Sequence, residues 1–256
     1  MASGQITSKV GGVQPIPGDR RAIWSWALYD FANSPFSTLV VTFVFGTYFT
    51  QAIASDPITG TTLWSRAMTI TALFFAICSP VLGALADRGG YRKAFVIVFK
   101  LICVVATTAL YGVLPGQVLG ALVLVVIANI AFEFASVFYN AVLSDIAPPE
   151  RIGRVSGLGW GLGYIGGLLA LGVALVTLVQ PETPWFGFSR DAGENIRATN
   201  LLVAAWFLVF SIPLMIWVKE DRSQVSKAGQ ILVDTAKQLT GTFDAIRRYR
   251  QIVRFL

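Results

Sequence analysis

The sequence predicts an all-α, polytopic membrane protein with six transmembrane helices, and three observations carry that prediction. Of the 256 residues, 55% are hydrophobic and only 13% charged, with a mean hydropathy of +0.66, more apolar than one or two soluble cores can use. The apolar residues fall in six runs, each near the ~20 residues that a helix needs to cross a bilayer at about 1.5 Å per residue. The cations are sorted by loop. Sixteen Lys or Arg lie on the side of the N-terminus, among them Arg20, Arg21, Arg88, Arg92, Lys93, Arg151 and Arg154; the other side has Arg66, Arg190 and Arg197. By the positive-inside rule both termini are cytoplasmic.

The first run, 24–53, follows a polar segment, 1–23, that lacks the apolar core and small-residue cleavage site of a secretory signal, so the span does its own targeting. Asp30, Asn33, Ser34 and Ser37 fall at i, i+3, i+4 and i+7, one face of a helix. Pro35 interrupts that face, frees the Phe31 carbonyl from its helical bond and predicts a kink. The second and third runs, 64–86 and 94–114, flank the charged hairpin "GALADRGGYRK". In it Asp87 sits at a helix C-terminus, where the dipole disfavours an anion and calls for a cation such as Arg88, Arg92 or Lys93. Lys100 shares a helical face with Cys103 and Thr107. Two roles stand for it: a structural counter-ion to Asp30 or Glu133, or a coupling site.

The fourth run, 118–143, carries a second polar stripe, with Asn129, Glu133, Ser136, Asn140 and Ser144 at i, i+4, i+7, i+11 and i+15. Glu133 lies at least ~15 Å from either end of its span, too deep to reach the interface. A carboxylate among lipid tails costs at least ~2.5 kcal/mol and therefore faces protein or water. The two stripes are expected to line one aqueous cavity, with Asp30, Asn33, Asn129, Glu133 and Asn140 as its candidate residues. Asp30 has a second reading, a shallow carboxylate that caps a helix or snorkels. The fifth run, 155–179, places Gly159, Gly163 and Gly167 at successive i+4 positions with Gly166 and Ala170 beside them. Such a face packs closely on another helix or presents backbone to a ligand. The sixth run is 199–218.

Residues 219–256 are read as a cytoplasmic segment. It contains an amphipathic stretch with Leu232, Ala236, Leu239, Phe243 and Ile246 on one face, and "RRYRQIVRFL" looks like the basic flank and first turns of a seventh span. The sequence has no His, and Cys78 and Cys103 lie in separate apolar runs, so no metal site, cofactor or catalytic constellation is expected and the chain is not read as an enzyme. Nucleic-acid binding is excluded as well, since no basic stripe is interleaved with exposed stacking aromatics. A membrane scaffold or sensor would have no use for buried carboxylates.

Gly83, Leu85, Ala86, Asp87, Arg88, Gly90, Arg92 and Lys93 match, position by position, the loop between spans two and three of the major facilitator superfamily, with Tyr91 where an Arg is usual. "WALYDFANSPF" and "SDIAPPERIGRVSGLGWGLGYIGG" further resemble the branch that contains the autophagy-related vacuolar amino-acid effluxer and its bacterial relatives. The resemblance implies the N-terminal half of a twelve-helix transporter, built as a three-plus-three repeat and working by alternating access. A second six-helix half, outside this chain, would complete it. It also implies a gate in which Asp87 and its basic neighbours pair with the loop between spans four and five, here Asp145, Glu150, Arg151 and Arg154. The expected cargo is a small polar solute, an amino acid in the efflux direction by analogy, moved with a proton or sodium ion across a bacterial inner membrane. Many proton-coupled members have an Arg in the fourth span where this sequence has Glu133, so their coupling scheme does not carry over.

Overall fold

A computed structural model describes residues 18–89 and 91–219, the side chains of 84–89 excepted. Among the described residues the secondary structure is entirely helical. Six helices are long and apolar enough to cross a membrane: α1 Arg20–Ile53, α2 Pro57–Gly83, α3 Arg92–Gly112, α4 Val118–Ile146, α5 Pro149–Val179 and α6 Asp191–Trp217. The helix of α2 continues to Gly89. Short connections make successive helices antiparallel, so the residues beside Arg20, Arg92, Ile146 and Trp217 share one end of the bundle, called here the basic end.

All six expected spans are present, and α2 and α6 begin furthest ahead of their apolar runs. The stretch "PITGTT", between the apolar runs 24–53 and 64–86, is the first turns of α2, because Asp56 caps it by accepting from the amides of Ile58 (3.1 Å) and Thr59 (2.9 Å). The polar run "ENIRATN" is helical too, and Asn195, Arg197, Thr199 and Asn200 within it are buried. Tertiary partners replace hydropathy there. Arg197 donates to the Tyr111 carbonyl (2.7 Å) and lies over the Tyr111 ring, whose hydroxyl donates to Glu194 (2.8 Å); Asn195 donates to the Leu178 carbonyl (2.9 Å). Tyr48 adds α1 by donating to the Ala192 carbonyl at 2.8 Å. These bonds tie α1, α3, α5 and α6 together at the end opposite the basic one.

Two seams organise the bundle. In one, α3 and α4 pack along an aromatic ladder, Phe95 on Phe138 (4.9 Å) and Phe99 on Phe134 (5.1 Å), which Phe75 of α2 extends onto Phe134 (5.3 Å). In the other, α1 and α5 approach along the glycine stripe. A Cβ at Gly159 would lie 2.8 Å from the Asp30 carboxylate, one at Gly163 2.8 Å from the Ser34 hydroxyl, and one at Gly167 2.8 Å from that of Thr38. A Cβ at Gly166 would run into the Phe31 carbonyl. Between the seams, Trp26 of α1 and Tyr139 of α4 form a reciprocal clasp. The indole N–H donates to the Tyr139 carbonyl and the Tyr139 hydroxyl to the Trp26 carbonyl, each at 2.9 Å, with the rings stacked at 4.4 Å.

The expectations for residues 1–17, for Gly90, and for the amphipathic stretch and seventh-span start in 220–256 lie outside the described residues. So do those for the side chains of Asp87 and Arg88.

Candidate functional site

Pro35 explains the local structure of α1. It ends the regular α-helix that begins at Arg20, and the chain continues as a π-helix over Phe36–Phe43. The Phe31 carbonyl that the proline deprives of its helical partner accepts instead from the Trp206 indole of α6 at 3.1 Å, with the Phe31 and Trp206 rings stacked at 5.2 Å. A freed carbonyl at membrane depth is thus satisfied by a neighbouring helix. The wider π turn then sets where Ser37 and Thr38 point, and π segments inside longer helices recur at functional sites.

The α1 stripe faces a cavity of about 360 Å³, lined by Asp30, Ser34, Ser37 and Thr38 of α1 and by Gly163, Tyr164 and Gly167 of α5, with Phe43, Trp160 and Leu168 around them. The hydroxyl protons are already committed: Ser34 donates to the Asp30 carbonyl, and Ser37 and Thr38 both donate to the Ser34 carbonyl. The oxygens of these groups are acceptors toward the cavity. Asp30 is the only charged residue among the lining, half-buried, with the Tyr139 hydroxyl and the Asn33 side chain beside its carboxylate. No cation pairs with it among the described residues. The single Tyr139 hydroxyl proton goes to the Trp26 carbonyl.

The two polar stripes do not meet in this cavity. The cavity of Asp30 is closed by the α5 glycines, not by Asn129 and Glu133. The α4 stripe runs along a more open face, on which Asn129, Glu133 and Ser136 are half-buried and Asn140 and Ser144 exposed; Asn129 donates toward Met68 Sδ of α2 at 3.7 Å. Where α1 and α4 do meet, they do so through Trp26, Tyr139 and the stacked Phe36 and Phe132. Asn33 is 6% exposed, packed into the bundle.

Of the two roles expected for Lys100, the counter-ion to Asp30 or Glu133 is not what the structure shows. Lys100 is fully buried, yet its ammonium donates to the Ser211 hydroxyl (3.0 Å) and approaches Met215 Sδ (3.6 Å), both in α6, with no carboxylate partner among the described residues. It marks the break of α6 at Ser211, where a turn precedes Ile212–Trp217. At the basic end Arg92 forms an ion pair with Asp145 and donates to the Ala141 carbonyl (3.3 Å), which links the hairpin after α2 to the end of α4. Lys93 donates to the Val218 carbonyl at 2.6 Å, linking it to the end of α6. Glu150, Arg151 and Arg154 are exposed. Gly83 has open space where a Cβ would stand.

The six-helix bundle and its sequence have counterparts among known proteins. The family model described as "Vacuole effluxer Atg22 like" matches residues 59–152 and 147–256. This chain belongs to the Atg22-like branch of the major facilitator superfamily. An uncharacterized MFS-type transporter, YxiO, of Bacillus subtilis is 34% identical over 238 residues, which cover 91% of this chain and 54% of that protein. Autophagy-related protein 22 of Coccidioides immitis is 23% identical over 203 residues, 59% of this chain and 32% of that one. Among solved structures, the proton:xylose symporter XylE superposes with a TM-score of 0.61 at 14% identity, covering 92% of this chain and 55% of XylE. That likeness is one of fold. The chain spans about half the length, or less, of the curated relatives it matches. YxiO and XylE are both described as transporters.

The Trp206 bond to Phe31 and the Trp26–Tyr139 clasp were not legible as pairs in the sequence. Their signal was there, since an indole N–H or a phenol inside an apolar run must find an acceptor.

Proposed function

We propose that this chain is the N-terminal six-helix half of a secondary active transporter that moves a small polar solute by alternating access. Residues 24–218 are its transmembrane bundle, 1–23 lie on the cytoplasmic side, and 219–256 lead toward a second six-helix half. The observation that carries the reading is Asp30, a carboxylate inside a span that lines a cavity and has no cation partner among the described residues. A charge so placed is expensive in a membrane unless it serves a solute or ion pathway. The cavity is near the lower end of the ~300–1,000 Å³ of small-ligand sites, and its serine and threonine acceptors beside a carboxylate suit a cationic or hydrogen-bond-donating group such as an ammonium. An amino acid, exported, fits that chemistry and the word "effluxer" in the family's description.

Asp30 and Glu133 are the candidates for coupling to a proton or sodium ion, as the ionisable side chains of the two stripes. Asn33, Asn129, Asn140 and Lys100 support the two stripes and the α6 break. Gly83, Asp87, Arg88, Gly90, Arg92, Lys93, Glu150, Arg151 and Arg154 form the cytoplasmic gate, in which the Arg92–Asp145 pair is broken and remade as the halves rock. The sorting of cations supports a cytoplasmic basic end, and the relative in Bacillus subtilis supports a bacterial inner membrane.

Solute flux into proteoliposomes, measured over a range of pH and sodium concentration, tests the assignment. Asp30→Asn is expected to abolish flux, and Glu133→Gln to change its dependence on pH or sodium. Unchanged flux in both variants would remove the binding and coupling roles together.

A further inference from the structure

At the basic end, α1, α5 and α6 leave a second concavity, far larger than the first at about 700 Å³ and almost wholly apolar in its walls. Leu28 and Ser25 of α1, Leu162 of α5 and Pro213 of α6 line it. Trp24 and Trp217 flank it, 57% and 45% exposed, and Arg20 and Arg21 stand at its mouth. The Ser25 hydroxyl is turned away, donating to the Arg21 carbonyl at 2.6 Å. The carboxylate nearest in sequence, Asp19, caps α1 through the Arg21 amide at 3.0 Å. Neither guanidinium makes a hydrogen bond or ion pair with any described residue.

We propose that this groove is a binding site for one phospholipid with an anionic headgroup, taken from the surrounding bilayer. Charge and position choose that occupant. The groove's apolar walls offer an acyl chain nothing polar to desolvate, and the two arginines give one end of the groove a positive charge. Two exposed Trp on one groove at the basic end are the side chains that settle at the height of lipid headgroups. That puts the guanidiniums of Arg20 and Arg21, one turn before Trp24, at phosphate height, where their planar forks bind phosphate oxygens in pairs. A zwitterionic lipid fills the same walls but brings its own cation to the two arginines. The site is separate from the cavity of Asp30 and does not depend on which solute is carried.

Native mass spectrometry of the purified, delipidated transporter, titrated in detergent with phosphatidylglycerol or with phosphatidylcholine, reads the affinity directly. Phosphatidylglycerol is expected to bind more tightly. Replacing Arg20 and Arg21 together by Gln weakens its binding roughly 25-fold, about fivefold per arginine near a membrane surface, and leaves phosphatidylcholine unchanged. Leu162→Trp, which fills the groove with both arginines intact, removes retention of either lipid. Three results would overturn the proposal. These are equal affinity for the two lipids, an Arg20/Arg21 double variant that holds phosphatidylglycerol as well as the parent, and displacement of the lipid by glycerol phosphate alone. Failure of the untreated protein to retain any phospholipid overturns it as well, since another part of the chain would then fill the groove.

Discussion

Alanine at Gly166 tests the α1–α5 seam at its tightest point. Its added Cβ would meet the Phe31 carbonyl oxygen, with Phe31 Cα at 2.8 Å and its carbonyl carbon at 2.9 Å. Ordinary carbon contacts are near 3.5–4.0 Å, so α5 must back away by on the order of 1 Å. Every obstructing atom is backbone, and the Phe31 carbonyl is held from the other side by Trp206, so no side chain can swing aside. Overpacking of this kind costs about 1–3 kcal/mol. Alanine's better helix propensity offsets at most about 1 kcal/mol of that, leaving a net destabilisation on the order of 1 kcal/mol. Gly161, on the same helix but with nothing near its absent Cβ, collects the propensity gain alone. Thermal unfolding in detergent, followed by a dye that reacts with the fully buried Cys103, is expected to show a lower midpoint for Gly166→Ala and an equal or higher one for Gly161→Ala. If the two variants behave alike, the glycine stripe is not the close seam described.

Three further outcomes follow from individual contacts. Trp206→Phe keeps the stacking on Phe31 but removes the donor to the freed carbonyl; a loss of ~1–2 kcal/mol is expected in the same unfolding assay, and none if Pro35 is also replaced by Ala, which restores the helical bond. Breaking the half-exposed Arg92–Asp145 pair by Asp145→Asn should lower stability by no more than ~1 kcal/mol, while changing the rate at which a thiol placed at the basic end is labelled. Asp56 has its carboxyl held below the ordinary carboxylate range chiefly by the Thr59 amide. Its cap is therefore fully present above the ordinary carboxylate pKa and lost as pH falls through the lowered one, so Asp56→Ala should speed amide exchange at Ile58 and Thr59 at neutral pH, with the difference vanishing in acid.

Much of this architecture was legible because a bilayer constrains sequence strongly. Six apolar runs, the cation asymmetry and the freed carbonyl at Phe31 are each dictated by the cost of leaving a polar group in hydrocarbon. Two span starts were not, because the polar turns "PITGTT" and "ENIRATN" are helical for reasons outside hydropathy: an Asp56 cap in one case and bonds to Tyr111 and Leu178 in the other. The site was half legible. Helical spacing placed Asp30, Ser34 and Ser37 on one face, and glycine spacing gave α5 a close-packing face. Nothing in either pattern says which helix faces which. The stripe of α1 was expected to look at Glu133 and instead looks at Gly163 and Gly167. Lys100 shows the same limit: a buried ammonium must find acceptors, and it found Ser211 of α6, a residue with no charge to attract attention.

The central claim is that solute enters the cavity of Asp30 between α1 and α5, and thiol protection tests it most directly. In a background without Cys78 and Cys103, Ser37→Cys puts a thiol in that cavity and Asn140→Cys puts one on the exposed stripe of α4. Transported solute is expected to slow modification of the thiol at position 37 and leave that at 140 unchanged. Protection at 140 with none at 37 would contradict the account.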